Sequence, residues 1–369
     1  MSERRISAQY LFTSAGKPLR RGIVTVGNDG TVLSVEDTGG ELIEGAGIEF
    51  YNGIIIPGLV NCHSHLELSH MRRVIPEGGG LQEFITAVRD RREAAPELIA
   101  AAAEQADGEM YDGGVIACGD ISNNSLSLHA KKRSHIRYLT FTEVFGTDPR
   151  LAQTRMSDAL KVADEVREAG LPCQITPHAV YSVSEPLSKL IREHISHDSV
   201  ISLHFLESSD EREMSQGHLE TALGLSFITG HLILVHNTVI SRAEAERLAS
   251  AGNTWFCLCP SSNMHISGIM PPVALIREVT DRIIAGTDSL ASNNRLDMIG
   301  ELRLLQDSVP GIALEEVIRW GTINGARALK ISDTIGSIEP GRKPGLLLVT
   351  PVDLVNLRLL PESRIRRLL

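Results

Sequence analysis

Apolar residues follow two alternating rhythms along this chain. Short runs such as Ile283-Ile284-Ala285, Leu232-Ile233-Leu234-Val235 and Ser199–Leu203 are apolar at nearly consecutive positions, as strands covered on both faces must be. Between such runs lie longer helical stretches. Helices are predicted over Leu81–Glu93, Leu98–Tyr111, Arg150–Ala169, Glu185–His194, Arg242–Ala251 and Leu296–Gln306. The strand runs are expected to end near His65, Asp120, Glu143, His178, His204, His236, Leu258 and Asp288. Strands that alternate with helices imply a parallel sheet and an α/β class. Eight such units favour a closed (β/α)₈ TIM-type barrel. An open doubly wound sheet would more often carry a glycine-rich phosphate fingerprint, and none is found.

The two ends read differently. Ile6–Phe12, Gly22–Gly27 and Thr31–Asp37 look like short strands broken by turn signals, and Gly345–Val349 repeats the pattern after the cluster Gly336–Gly341. A small β-sandwich-like domain built from residues 1–56 and 333–369 is therefore expected, around a barrel spanning residues 57–332.

Composition narrows the functional classes. The 369 residues are 42% hydrophobic but only 4% aromatic, so the core must be mostly Ile, Leu, Val and Ala. A net charge of −10 and the lack of a basic stripe argue against nucleic acid. No apolar run approaches the roughly 18 residues of a membrane span, and the N-terminus lacks a signal peptide's apolar segment. Five cysteines without a CxxC pair read as free thiols in a reducing compartment. These features lead us to expect a cytoplasmic protein with a small-molecule substrate and no membrane partner; a homo-oligomer is compatible with them.

Five of the thirteen histidines sit at predicted strand ends. His63 and His65 stand two apart, so both imidazoles can face the barrel interior and reach one ion. His204 and Glu207 form an HxxE after another apolar run; His236 and Asp288 close two more. Each feature alone has an ordinary explanation, as a polar strand end, a helix cap or a satisfied core histidine. Together, three imidazoles and one carboxylate make a site for one borderline-soft divalent ion, with water or substrate in the remaining position. Such an ion lowers the pKa of a bound water to about 7, and Glu207 and His236 remain beside it to handle protons.

The motifs Pro57–His65, Thr176–Ser182, His204–Glu211, Leu234–Asn237, Cys259–Asn263 and Gly286–Asn294 occur in order. With Thr322–Leu329 and Ile335–Lys343, they resemble the amidohydrolase superfamily nearly end to end, in the branch of nucleobase and adenosine-type deaminases and chlorohydrolases. The resemblance implies His63, His65, His204 and Asp288 as ligands of one divalent metal, with zinc first and iron or manganese as alternatives. It makes Glu207 the proton shuttle, His236 the group that orients the attacking water, and Asp288 a helper in its deprotonation. His178 would contact the substrate ring. Glu83 would contact a ribose, or would simply be a solvated helix residue. No lysine matches the bridging position of binuclear members, so the centre is expected to be mononuclear. Glu67 and His70, in His65–His70, resemble the aminodeoxyfutalosine deaminase group.

The implied reaction is hydrolytic deamination of an aminated heterocycle, with release of ammonia. The expected substrate is a 6-aminopurine nucleoside derivative of the 6-amino-6-deoxyfutalosine, adenosylhomocysteine or methylthioadenosine type. A cyclic-amide hydrolase or chlorohydrolase on the same scaffold is the alternative. A non-catalytic scaffold protein ranks below both, because every ligand position is filled.

Overall fold

The computed structural model describes residues 3–43, 45, 47–214 and 217–369. Its strands, in chain order, are β1 (Arg4–Leu11), β2 (Leu19–Arg20), β3 (Ile23–Val26), β4 (Val32–Glu36), β5 (Ile48–Pro57), β6 (Leu59–Ser64), β7 (Val115–Ser122) and β8 (Arg137–Val144). They continue with β9 (Cys173–Pro177), β10 (Val200–Phe205), β11 (His231–His236), β12 (Thr254–Leu258), β13 (Ile283–Ala285), β14 (Leu346–Asp353) and β15 (Arg358–Arg367). Two compact units result. One comprises Met1–Asn61, Met110–Ala117 and Asp297–Leu369, the other Cys62–Glu109 and Cys118–Leu296.

In the first unit the two ends of the chain share one sheet, ordered β15-β14-β5-β1-β3-β4, with β2 paired to β1. Alternate residues of β1 and β3, among them Ile6, Ala8, Val24 and Val26, meet Val32, Ile55, Ile338 and Leu346 in an apolar core. The alternation follows from the period of a strand. Gly53, in β5, has φ +133°, and a Cβ there would collide with the carbonyl of Val349. Glycine is the residue that fits.

Apart from the β1–β5 pair and the first residues of β6 and β7, the parallel strands belong to the second unit. β6-β7-β8-β9 form one four-stranded sheet and β10-β11-β12-β13 another. β6 and β10 to β13 are buried almost throughout, which explains their uninterrupted apolar sequence. Parallel bridges pair Ala179 with His204 and Ser64 with Asp288, one at each seam between the two sheets. At those seams the His204 N–H donates to the carbonyl of His178 (2.9 Å) and the Asp288 N–H to that of His63 (3.0 Å).

Helices lie where the periodicity places them, including Gly80–Arg91, Pro96–Asp112, Ala152–Glu168, Glu185–Glu193, Arg242–Ser250 and Met298–Ser308. Ser241 and Glu244 form a reciprocal capping box that starts one of them. Among the described residues, no helix is long and apolar enough to cross a membrane. All five cysteines are free of disulfides.

Candidate metal centre

The ends of the parallel strands bring the predicted ligands together. His63 lies on β6 and His65 just beyond it, His204 on β10, and Asp288 three residues past β13. The His63 Nε2 is 3.2 Å from that of His65 and 3.4 Å from Asp288 Oδ1. His65 Nε2 is 3.4 Å from His204 Nε2 and 3.3 Å from the same aspartate oxygen. Ligand atoms about 2.05 Å from a tetrahedral ion stand about 3.3 Å apart, the edge of the tetrahedron. Four of the separations among these donors have this length, and all four residues are buried, which fits a divalent ion such as zinc.

The surroundings hold the donors in the state a metal requires. The His204 Nδ1–H donates to the carbonyl of His178 (3.0 Å) and lies 3.4 Å from Glu143 Oε1, which turns the Nε2 lone pair toward the other ligands. Asp288 Oδ2 accepts hydrogen bonds from Ser262 Oγ and Ser292 Oγ, both 2.6 Å, leaving Oδ1 to face His63 and His65. Burial pulls the His63 imidazole down to about 4 and that of His65 to about 3. Burial opposes charge on Asp288 as well, but the hydrogen bond from His63 and the neighbouring imidazoles hold its carboxyl well below the usual range. Neutral imidazoles and a charged carboxylate are the forms that bind a cation.

His63 is also held by a close backbone approach. A Cβ on Gly286 would stand 2.8 Å from the His63 Cβ and 3.0 Å from its N and O. We expect Gly286→Ala to displace His63, lower stability by about 1–3 kcal/mol and weaken zinc binding. Equilibrium unfolding and zinc titration would check this; wild-type values for both would refute the close packing.

Beside the four donors lie Glu207 and His236, with Oε1 and Nε2 3.6 Å apart. Burial, then the charges of Asp288 and Glu211, push the Glu207 carboxyl well above its usual range. Asn263 Nδ2 donates to His236 Nδ1 (3.2 Å) and to Thr238 Oγ1 (2.7 Å), fixing the imidazole ring. The backbone here is strained. Leu206, His236, Asn237 and Asp288 have φ of 51°, 77°, 57° and 56°, left-handed values that cost on the order of 1 kcal/mol or more each.

His178 is half-buried, its ring centroid 4.7 Å from that of His204 and 5.9 Å from Tyr181. Glu83, in contrast, is exposed in the first turn of the helix Gly80–Arg91, its carboxylate beside Gly79. The structure therefore gathers His63, His65, His178, His204, Glu207, His236 and Asp288. Sequence reasoning assigned no role to Ser262, Ser292, Asn263 or Glu143. Ser262 and Asn263 fall inside the motif Cys259–Asn263, the one signal that could have marked them.

The sequence profile of the amidohydrolase family matches residues 54–363. The chain belongs to the amidohydrolase family. As a member it is a metal-dependent hydrolytic enzyme acting on carbon–nitrogen bonds. Among curated relatives, the 5-methylthioadenosine/S-adenosylhomocysteine deaminase of Haloarcula marismortui is 29% identical, over 92% of this chain and 84% of its own. An adenosine deaminase of Helicobacter pylori is 26% identical over 80% and 79%. The fold is shared with solved structures. Helicobacter pylori aminofutalosine deaminase in complex with methylthio-coformycin superposes with a TM-score of 0.78 at 22% identity, covering 94% of this chain and 92% of that one. An adenosine deaminase from Xanthomonas campestris with bound zinc gives 0.74 at 24% identity, over 94% and 84%.

Proposed function

We propose that this amidohydrolase deaminates a 6-aminopurine nucleoside derivative, of the methylthioadenosine, adenosylhomocysteine or 6-amino-6-deoxyfutalosine type, with release of ammonia. The observation that carries the reading is the convergence of His63, His65, His204 and Asp288, with Glu207 and His236 alongside. The names of its relatives support the substrate class. In this reading the eight parallel strands close as a (β/α)₈ barrel within residues 57–332, and residues 1–56 and 333–369 form the small β domain. The four donors hold one zinc ion, and the free thiols suit a reducing, cytoplasmic setting.

When bound, the ion supplies Lewis acidity and lowers the pKa of water at the site. The protein's own groups do the rest. Glu207, whose carboxyl burial pushes upward, donates its proton to the ring nitrogen next to the amine-bearing carbon, then takes the proton that the attacking water gives up and passes it to the amine, which leaves as ammonia. His236, fixed by Asn263, orients the attacking water with Asp288. His178, its Nδ1 held by Ser182 Oγ (2.9 Å), contacts the purine ring. Glu83, exposed in the first turn of its helix, remains the candidate partner of a ribose hydroxyl.

Ammonia release from 5′-methylthioadenosine, S-adenosylhomocysteine, 6-amino-6-deoxyfutalosine and adenosine tests the proposal. At least one should turn over with kcat/KM above about 10⁴ M⁻¹s⁻¹. Inactivity on all four would remove the nucleoside reading. A second reading, chloride displacement from a triazine, draws on the triazine hydrolase of Arthrobacter aurescens, a structural neighbour with a TM-score of 0.74 at 16% identity. Chlorotriazines belong in the same panel, scored by chloride release.

A further inference from the structure

Two charge pairs with buried carboxylates, one of them with a half-exposed cation, lie outside the reaction described above. We propose that they form a reciprocal clamp that positions His65. Asp120, held by Lys131, grips the loop after β6, while Glu67, held by Arg92, grips the loop after β7. The proposal rests on the reading of His65 as a metal ligand.

The first half is closed to solvent. Lys131 Nζ lies 2.6 Å from Asp120 Oδ2 and donates to Ser122 Oγ (2.8 Å) and Thr140 Oγ1 (3.2 Å), so its three ammonium protons all have acceptors. The other oxygen, Asp120 Oδ1, accepts the N–H of Leu66 at 2.8 Å. That N–H belongs to the peptide immediately after His65. The second half runs the opposite way. Glu67 Oε2 accepts the N–H groups of Asn123 (2.9 Å) and Asn124 (3.1 Å), just beyond β7. Glu67 Oε1 accepts from Arg92 Nη2 (2.9 Å), and the Arg92 carbonyl accepts from His70 Nε2 (3.0 Å). β7 thus offers a carboxylate to the backbone after β6, and the segment after β6 offers one to the backbone after β7, so that His65 is bracketed between β6 and a pinned peptide.

Stability alone does not call for this arrangement. An apolar pair of similar volume would serve a core as well as a buried ion pair does. It would leave the buried Leu66 N–H without an acceptor and the His65 peptide free to rotate. The pairs make sense as a positioning device: each cation holds a carboxylate whose other oxygen accepts backbone N–H groups of the neighbouring segment.

The test uses the intact chain as wild type, K131M, E67Q, T140V and the double variant D120N/K131M. Zinc affinity is measured by competition with a chromophoric chelator, cobalt(II) coordination by visible absorption, and folding by circular dichroism. We expect K131M and E67Q to keep the far-ultraviolet spectrum, bind zinc about 10–100-fold more weakly and shift the cobalt bands. D120N/K131M should recover most of the affinity, because the asparagine oxygen still accepts the Leu66 N–H and no ammonium is stranded. Wild-type affinity and cobalt spectra in folded K131M and E67Q would overturn the clamp; so would a loss that the double variant does not recover, which marks a packing defect. Should K131M not fold, E67Q and T140V decide in the same way, with T140V expected to weaken zinc binding less than E67Q. None of these readouts involves a nucleoside, so the deamination panel fails or succeeds independently of them.

Discussion

Glu207→Gln is expected to lower kcat by about 10²–10⁴-fold while zinc stays bound at wild-type stoichiometry. The reasoning starts from position. Glu207 is buried next to the four donors but is not one of them, and Oε1 faces His236 Nε2 across 3.6 Å. Its burial favours the protonated carboxyl, which lets one side chain give a proton to a ring nitrogen and move a second one to the leaving amine. Glutamine keeps the shape and the hydrogen-bonding reach, so KM should change far less than kcat. Steady-state kinetics combined with metal analysis make the measurement. A variant that turns over within threefold of wild type would remove Glu207 from proton transfer.

Asp288→Ala should act one step earlier, on the metal itself. Oδ1 faces two imidazoles and Oδ2 is held by two hydroxyls, so alanine removes the only carboxylate among the four donors and strands Ser262 and Ser292. Loss of an outer partner costs about 10–100-fold in metal affinity, and loss of this donor should exceed that. Binding also feeds into stability. Zinc at a hundredfold over its Kd raises the unfolding free energy by about 2.7 kcal/mol. Calorimetry with and without zinc should show this gain in the wild type and not in the variant. An undiminished zinc-dependent rise in Tm would take Asp288 out of the ligand set.

The parallel strands were legible because burial on both faces writes them as plain apolar runs. β10, β11 and β12 fall within a residue or two of where those runs end. β5 and β15 were not legible, for local reasons. β5 is interrupted by Gly53, and the pairing register of β1 with it shifts between Ala8 and Tyr10. β15 is polar, carries Pro361 and lies at the sheet edge, where a strand tolerates proline. The centre divides in the same way. His63, His65, His204, His236 and Asp288 announced themselves by standing at the tips of readable strands. Lys131 did not, because its partners lie on other elements, whereas Ser262 and Ser292 fell inside motifs without a role of their own. Glu83 is a different case: both readings of it, a ribose contact or a solvated helix residue, are compatible with its exposed place on a well-predicted helix.

The bridge between Ser64 and Asp288 has a bearing on biogenesis. It couples a residue made early in synthesis to one made late, and the first and last of the proposed ligands sit at or beside it. A nascent chain halted before Asp288 holds three histidines and no aspartate to complete the set. Ion capture should therefore trail translation of most of the molecule, a long-range closure of the kind that folds slowly. Uptake of zinc during refolding would then serve as a clock for the moment when the two halves of the strand array join.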